Sequence, residues 1–274
     1  MSKTWFITGA SSGFGRALAE EVIARGERVL AAARNVAALN ELVALAPDRV
    51  VAVVLDVTKP AAIEAAIAAA GPIDVLVNNA GYSMVGALEE TSEAALRDLM
   101  ETMFFGPVAL TRAVLPSMRA RKSGTIVQIS SVGGLMTAPG FGPYCAAKHG
   151  LEAISEALAK EVEPFGIRVL VVEPGAFRTS LFGAGFKSLP ALDVYAPTVG
   201  PTRAYVADSH GAQAGDPVKA ARAIADAVAA GAPTLRLPLG ADAVAGIRAK
   251  LAAVAADVDA TEAIANSTAS RLTP

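Results

Sequence analysis

The chain has little cysteine, little histidine and almost no net charge, and each shortage argues against a class of protein. One cysteine among 274 residues cannot form an internal disulfide, which favours a reducing, cytoplasmic location. Two histidines offer no metal-binding constellation, so we predict no metal site. A net charge of −2, with scattered basic residues, predicts neither a nucleic-acid partner nor an acidic membrane surface as partner.

The sequence also lacks a run that could span a membrane. Its longest uncharged stretch, residues 124–147, is rich in Gly, Ser, Pro and Thr. A strand candidate begins almost at the N-terminus, which argues against a signal peptide. The length would suffice for one large domain or two small ones, and no linker, low-complexity tract or repeat divides the chain. We therefore predict a single domain over residues 1–274.

Continuous apolar runs alternate with helical patterns along the chain. Strands are predicted over residues 4–8, 28–33, 50–55, 75–78, 125–130, 168–173 and 234–237. Helices are predicted over residues 13–25, 36–46, 60–70, 92–120, 142–165 and 217–230. Apolar strands separated by helices are typical of a parallel sheet that is covered on both faces. The prediction is an α/β, Rossmann-type, doubly wound sheet of seven parallel strands, with ligands outside the carboxyl ends of the strands.

The first junction between strand and helix carries the glycine turn, Thr8-Gly9-Ala10-Ser11-Ser12-Gly13-Phe14-Gly15. Glycines allow a tight turn and a close approach of the backbone, and the helix N-terminus favours an anion. The spacing Gly-x-x-x-Gly-x-Gly differs from the usual Gly-x-Gly-x-x-Gly, so a turn that only packs helix on strand is the alternative. The flanking pattern favours a pyrophosphate site at Gly9, Ser11, Ser12, Gly13, Phe14 and Gly15.

A tyrosine and a lysine four residues apart form a second candidate site. Tyr144 and Lys148 lie on one helix face, one turn apart. A free tyrosine has a pKa of ~10, and a neighbouring cation favours the phenolate and lowers that pKa. Ser131, upstream of the pair, could hydrogen-bond the same substrate oxygen.

These motifs together resemble the short-chain dehydrogenase/reductase family, in its shorter single-domain branch, up to roughly Gly240. The similarity is strongest to hydroxysteroid- and retinol-dehydrogenase-like members. In the family's order, the chain has the glycine turn, Asp56, Asn78-Asn79-Ala80-Gly81, Ser131, Tyr144 with Lys148, and Pro174-Gly175 followed by Thr179. Each motif alone is weak, whereas all six in order are specific.

The resemblance implies a role for each of these residues. Tyr144 would be the general acid in reduction and the general base in oxidation, while Ser131 would hold the substrate oxygen. Lys148 would lower the Tyr144 pKa and bind the nicotinamide ribose, and Thr179 would bind the carboxamide. Further cofactor contacts are expected from Asp56, Val57, Asn79, Ala80, Gly81, Pro174, Gly175 and Phe177. The resemblance also implies a homodimer or homotetramer.

The end of the second strand bears on the choice of cofactor. Enzymes that prefer NAD place an acid there for the ribose 2′-hydroxyl, whereas this chain has Arg34. An arginine can bind a 2′-phosphate bidentately, and Arg16 could help. The alternative is that Arg34 only solvates a loop. We predict that NADP(H) is preferred over NAD(H).

One position departs from the family pattern. The family usually carries an Asn in the long middle helix, three residues before a glycine, where it holds a water that links the lysine to solvent. Gly106 fixes the register here, so Met103 occupies that position, and a thioether is only a weak acceptor. The residue could be a substitution in an Asn-bearing parent, the relay could use backbone and water alone, or catalysis could be weakened. We predict that Met103→Asn raises turnover.

The substrate side is less defined than the cofactor side. Residues 176–215, the lid segment, are apolar and aromatic, which suggests a bulky ketone or secondary alcohol of aryl, steroid or retinoid type. The alternative is that these aromatics only pack the lid segment on the body. Residues 241–259 form an Ala-rich amphipathic helix that could pack on its own domain or on a second subunit. Candidate pocket residues are Tyr82, Leu135, Phe141, Phe182 and Phe186.

The sequence thus predicts an NADP(H)-dependent short-chain dehydrogenase or carbonyl reductase with a small-molecule ketone or alcohol substrate. A nucleotide-sugar epimerase would have a separate substrate domain and Gly-x-x-Gly-x-x-Gly, and this chain has neither. A catalytically silent dinucleotide sensor is the alternative, and Met103 is the one feature that favours it.

Overall fold

The central element is a sheet of seven parallel strands in the order β3-β2-β1-β4-β6-β7-β9. The structure of the protein is a computed structural model, which describes residues 2–183 and 185–269. The sheet confirms the predicted Rossmann-type fold. Its strands are β1 Thr4–Thr8, β2 Arg28–Ala33, β3 Val50–Val54, β4 Val75–Asn78, β6 Gly124–Ile129, β7 Ile167–Pro174 and β9 Arg236–Leu239.

Helices connect the strands, mostly within a residue or two of the predicted bounds. They are α1 Gly13–Ala24, α2 Asn40–Leu45, α3 Pro60–Ala70, α4 Glu93–Met100, α5 Gly106–Arg121, α6 Gly142–Val162, α7 Ala196–Ser209, α8 Pro217–Ala229 and α9 Ala241–Ser267. The predicted long middle helix is continuous, but a π-helical turn, Glu101–Phe105, joins α4 to α5. Such turns are uncommon and occur frequently at functional sites.

The apolar core lies in two layers, one on each face of the sheet. On β1, Trp5 and Ile7 belong to one buried cluster, while Phe6, between them, belongs to the other. Successive side chains of a strand point to opposite faces, so a sheet covered on both sides needs apolar residues at every position. The strand order reverses between β1 and β4, and at such a point the carboxyl ends of the strands leave a crevice.

Several elements differ from the sequence predictions, among them α7, which the sequence does not predict. The last strand of the sheet is Arg236–Leu239 and not residues 234–237, because Val171 pairs with Arg236. The helix predicted over 241–259 continues to Ser267, in keeping with its alanine content. A second, two-stranded parallel sheet of β5 Ser83–Val85 and β8 Phe186–Ser188, which the sequence does not predict, joins the lid segment to the body.

Across the part of the chain that the structure describes, no helix is both long enough and apolar enough to cross a lipid bilayer.

Candidate active site

A cavity of about 940 Å³ lies over the carboxyl edge of the large sheet. Its lining includes Thr8, Ala33, Ile129 and Pro174, which end or nearly end four different strands. This is the crevice that the reversal of strand order creates. The following sequence-predicted site residues line it: Gly9, Ser11, Ser12, Gly13, Phe14, Arg34, Asp56, Val57, Asn79, Ala80, Gly81, Tyr82, Ser131, Tyr144, Lys148, Pro174, Gly175, Phe177, Thr179 and Phe182.

The glycine turn both packs against its neighbours and faces the cavity. Gly9 and Gly13 have φ values of 65° and 56°, a left-handed conformation that favours glycine. Gly15 does not line the cavity. A Cβ there would collide with the carbonyl oxygen of Gly9 and the side-chain nitrogen of Asn79. Gly15 therefore packs helix against turn, while the residues before it face the cavity.

The turn is fixed to the neighbouring strand by side chains. Thr8 Oγ1 accepts hydrogen bonds from the backbone N–H groups of Asn79, at 2.9 Å, and Ala80, at 3.0 Å. Asn79 Nδ2 donates to the Thr8 carbonyl oxygen at 2.8 Å. Asn78 is buried and points away, donating to Thr111 Oγ1 at 3.2 Å and Gln128 Oε1 at 3.0 Å. The two asparagines thus hold β4 to opposite neighbours.

Ser131, Tyr144 and Lys148 converge on one side of the cavity. Ser131 caps a short 3₁₀ turn directly after β6, and α6 presents the other two residues one turn apart. Ser131 Oγ accepts a hydrogen bond from the Gly133 N–H at 3.0 Å, and the Ser131 hydroxyl is close enough to Tyr144 to act on the pKa of the phenol. Lys148 Nζ donates to the Ile129 carbonyl oxygen at 2.7 Å and lies 5.9 Å from the centre of the Tyr144 ring.

Burial dominates the electrostatics of this trio. It raises the pKa of Tyr144 to about 12, although the nearby Ser131 hydroxyl acts in the opposite direction. Burial also lowers the pKa of Lys148 to about 8, against the charge of Glu152. The Tyr144 pKa therefore moves up and not down as the motif alone suggests, because removing a phenolate from water costs more than its neighbours restore. At neutral pH the phenol carries its proton.

The adenosine side of the cavity contains Arg34 and Asp56. Arg34 is exposed directly after β2 and lines the cavity, while Arg16 lies outside the lining and pairs with Glu20. Burial raises the pKa of Asp56, but hydrogen bonds from Thr58 N, at 3.0 Å, and Thr58 Oγ1, at 2.8 Å, outweigh it, so the pKa is below its usual value. Asp56 is thus a fixed carboxylate at the edge of the site.

Met103 lies in the π-helical turn and reaches the cavity. It is 2 % exposed and belongs to a buried cluster that also contains Tyr144 and Met84. A Cβ on Gly81 would lie 3.2 Å from its terminal methyl group. The position expected for the family's Asn is therefore filled by an apolar side chain that packs tightly beside Tyr144.

The predicted substrate residues separate into two sets. Tyr82 and Phe182 line the cavity, whereas Leu135, Phe141 and Phe186 do not. Phe141 and Phe186 instead pack on Phe182, with ring centres 6.5 Å and 6.0 Å from it. Phe141, Phe182 and Phe186 therefore form a packed group of which Phe182 is the member that faces the cavity.

Other residues that line the cavity belong to no recognisable sequence motif. Lys187 lines the cavity from β8, with its Nζ 4.4 Å from the centre of the Tyr82 ring. The unpredicted strand pair places it there, so no sequence signal could have found it. The same lining includes Asp98, Glu101, Thr102 and Gln213.

A buried ion cluster lies beneath the trio. Glu152 and Glu173 are 2 % and 0 % exposed, and Arg236 binds both of them as well as Glu156. Burial raises the pKa of Glu173, and the nearby charge of Glu152 adds to that. Glu152 follows Lys148 by one helical turn, and this spacing was the available sequence signal.

Comparison with known proteins identifies the family. The family model for short chain dehydrogenases matches residues 3–188. The chain is 38% identical over 249 residues to the oxidoreductase BOA17 of Botryotinia fuckeliana, covering 89% of this chain and 91% of that protein. This protein therefore belongs to the short-chain dehydrogenase/reductase family of oxidoreductases.

Solved structures of similar proteins agree. A short-chain dehydrogenase from Streptomyces avermitilis matches with a TM-score of 0.93 and 50% identity, over 98% of this chain and 100% of that one. One from Burkholderia phymatum, in complex with NAD, has a TM-score of 0.79 and 25% identity, over 90% and 92% of the two chains. One from Sphingobium yanoikuyae, in complex with NADPH, has a TM-score of 0.73 and 26% identity, over 99% and 98%.

Proposed function

We propose that this protein is an NADP(H)-dependent carbonyl reductase or alcohol dehydrogenase. The observation that carries the proposal is that Ser131, Tyr144 and Lys148 face the same cavity as the glycine turn. The turn suits a dinucleotide, since its left-handed glycines bring backbone N–H groups and a helix N-terminus to the cavity wall. When bound there, the nicotinamide would supply the hydride.

The protein's own part is to hold the substrate oxygen and to move one proton. Ser131 and Tyr144 lie beside each other in the cavity lining, so both can contact one carbonyl oxygen. Because Tyr144 holds its proton at neutral pH, it is ready to donate to an oxygen that gains negative charge during reduction. Lys148 would keep a cation beside this developing charge and bind the ribose hydroxyls.

The preference for NADP(H) rests on Arg34. The structurally similar enzymes contain NAD in one case and NADPH in the other, so similarity alone leaves the choice open. Arg34 is exposed in the cavity lining at the end of β2, where an acid would favour NAD. A guanidinium there matches a 2′-phosphate in charge and geometry.

The substrate we propose is a bulky apolar ketone or secondary alcohol, of aryl, steroid or retinoid type. Phe182 and Tyr82 contribute aromatic rings to the cavity lining, and Phe141 and Phe186 pack on Phe182. Aromatic walls with few polar groups bind apolar molecules by desolvation.

Initial rates of NADPH and NADH consumption with aryl and steroid ketones test the proposal. Tyr144→Phe should lower turnover by about 10²- to 10⁴-fold, the usual contribution of a general acid, and leave NADPH binding intact. Tyr205→Phe is the matched control, because Tyr205 is a half-exposed tyrosine of the lid segment that does not line the cavity. Tight NADPH binding without turnover of any ketone or alcohol would instead support the silent sensor.

A further inference from the structure

The C-terminal helix α9 leaves the body of the protein after two turns. Its first turn is anchored, since Asp242 Oδ2 accepts a hydrogen bond from the Ala176 N–H at 2.7 Å, and Ala243 and Ile247 are buried. From residue 248 to residue 269 every side chain is exposed. A helix of this length gains most of its stability from packing, and this part packs on nothing in the described ranges.

The exposed part carries an apolar stripe. Beyond Ile247, Leu251, Val254 and Val258 are 59 %, 42 % and 59 % exposed, and Ile264, at 69 %, lies to one side of their line. From Ile247 to Val258 the stripe residues follow one another at spacings of four, three and four residues, and Thr261 and Ala265 continue the series with spacings of three and four. This is the spacing of a helix–helix seam, in which every member faces the same side.

Charges flank the stripe with opposite signs at its two ends. Arg248 and Lys250 lie toward the start of the helix, whereas Asp257 and Glu262 lie toward its end. At 100° per residue, Lys250 and Asp257 border one edge of the stripe and Arg248 and Glu262 border the other. A parallel pair of such helices would bring like charges together along both edges, whereas an antiparallel pair would bring opposite charges together.

We propose that α9 pairs in antiparallel fashion with α9 of a second copy of this chain, around a twofold axis near Val254. Lys250 then lies alongside Asp257 of the second copy, and Arg248 alongside Glu262 of the second copy, each pair occurring twice by symmetry. The many alanines between these residues allow the two helices to approach closely. The pairing covers the apolar stripe of both copies.

The pairing also reaches the active site through the anchored turn. The Ala176 N–H that Asp242 holds belongs to the residue directly after Pro174 and Gly175, where the lid segment begins. The second copy would therefore brace the helix that fixes the base of the lid segment.

Molar mass in solution, measured by light scattering after size exclusion, tests the pairing. Val254→Glu places a charge in the centre of the stripe and should halve the mass of the assembly. Ala256→Glu introduces the same charge on the opposite side of the helix and should leave the mass unchanged. An unchanged mass for Val254→Glu would overturn the proposal, as would a wild type with the molar mass of a monomer.

Charge reversal tests the orientation. Arg248→Glu with Lys250→Glu should lower the mass, and adding Asp257→Lys and Glu262→Arg to them should restore it, because the edges become complementary again. If the variant with all four substitutions keeps half the molar mass of the wild type, the antiparallel pairing is excluded. Circular dichroism of each variant monitors whether α9 stays helical.

A second inference rests on a different observation, the contacts between α6 and the end of β6. Three successive residues of that strand end contact three residues of α6 spaced by one turn. The Ile129 carbonyl oxygen accepts a hydrogen bond from Lys148 Nζ, Ser130 Oγ donates to Glu152 at 2.6 Å, and Ser131 lies beside Tyr144. The contact between Ser130 and Glu152 is therefore one of three that fix α6 against the end of β6, and these contacts set the distance between Ser131 and Tyr144.

Space and charge around Glu152 are both fixed. A Cβ on Gly134 would overlap its carboxylate, so the carboxylate fills the space that this glycine leaves. Arg236 binds it on the far side, together with Glu173. Lys148, one turn earlier on the same helix, is the cation on which the charge of Glu152 acts. We infer that Glu152 is a positioning residue, which aligns Ser131 with Tyr144 and keeps Lys148 protonated.

The pH profile of turnover tests this inference, which rests on the proposed function. Glu152 raises the Lys148 pKa, which burial has lowered to about 8, so Glu152→Gln should lower it further. Lys148 would then lose its proton at lower pH, and the alkaline limb of the profile should move down by roughly one pH unit. Glu156→Gln is the matched control, because Glu156 also binds Arg236 but is half-exposed.

Ser130→Ala separates the two parts of the inference. This substitution removes the hydrogen bond from Ser130 to Glu152 but keeps the negative charge of Glu152. We therefore expect kcat to fall while the pH profile of turnover stays in place. Identical profiles for Glu152→Gln and Glu156→Gln would overturn the electrostatic role, and an unchanged kcat in Ser130→Ala would overturn the alignment role. Absence of turnover in the wild type and in Glu156→Gln would refute the proposed function itself.

Discussion

The cofactor wall of the cavity consists of backbone turns, whereas the lid wall, formed by Tyr82, Phe182 and Lys187, consists of side chains. In the cofactor wall, Gly9 and Gly13 take conformations that few other residues adopt, and Thr8 and Asn79 fasten the turn to the sheet. In the lid wall, Phe182 is held by Phe186, which packs on it outside the lining with ring centres 6.0 Å apart. One wall depends on residue type at fixed spacing, and the other on packing.

This difference decides how each wall tolerates change. A backbone turn with no free volume cannot accept even one methyl group without moving. A group of aromatic rings can lose or exchange a member and repack, at a cost in affinity. The four predictions below compare the walls, beginning with the largest expected effect.

Glycine-to-alanine substitutions should show the largest difference between the glycine turn of the cofactor wall and the lid segment. Gly15→Ala should weaken NADPH binding by at least about 100-fold, since its Cβ would collide with Gly9 and Asn79. Gly200→Ala, in α7 of the lid segment, meets open space and should raise stability by about 0.5–1 kcal/mol. Fluorescence titration with NADPH and thermal unfolding measure both. Equal changes in NADPH affinity and in thermal stability for the two substitutions would contradict the distinction between the walls.

Arginine substitutions sharpen the comparison within the cofactor wall. Arg34→Ala should weaken NADPH binding by about 10- to 100-fold and leave NADH nearly unaffected, as expected for the loss of charged hydrogen bonds worth about 1.5–3 kcal/mol. Arg16→Ala is the control, because Arg16 pairs with Glu20 outside the cavity. The ratio of kcat/KM values for the two cofactors is the measurement, and an unchanged ratio in Arg34→Ala would contradict the proposed preference.

Phe182→Ala probes the lid wall. It removes the ring that faces the cavity, so KM for a steroid ketone should rise about tenfold while that for a small ketone changes little. NADPH affinity should stay the same. Phe165→Ala, at an exposed phenylalanine after α6, should alter neither quantity. A tenfold loss of NADPH affinity in Phe182→Ala would show that the lid wall serves the cofactor as well.

The sequence predicts the cofactor side well because the physical constraint there acts on single residues. The strand bounds, the seven-stranded sheet and the glycine turn follow from apolar runs and from glycines that a close approach requires. The β5–β8 pair could not be predicted, since three-residue strands carry no periodicity and Lys187 lies on one of them. The raised pKa of Tyr144 was missed for a similar reason, because spacing reveals a neighbouring cation but not the depth of burial.

Met103 lies between the two walls, and its substitution has the smallest expected effect. Met103→Asn should raise turnover roughly two- to fivefold, small beside the 10²- to 10⁴-fold of a general acid, because an amide there can hold a water near Lys148. It should also cost about 1–3 kcal/mol of stability, since the position is 2 % exposed and apolar.

The matched control is Met84→Asn, in the same buried cluster but outside the cavity lining. It should lower stability similarly and give no gain in turnover, because its amide cannot reach the cavity. Single-turnover rates with NADPH, together with thermal unfolding, distinguish the two effects. An unchanged or lower rate in Met103→Asn would mean that the packed thioether is compatible with full proton transfer, and that the π-helical turn positions Tyr144 without a water relay.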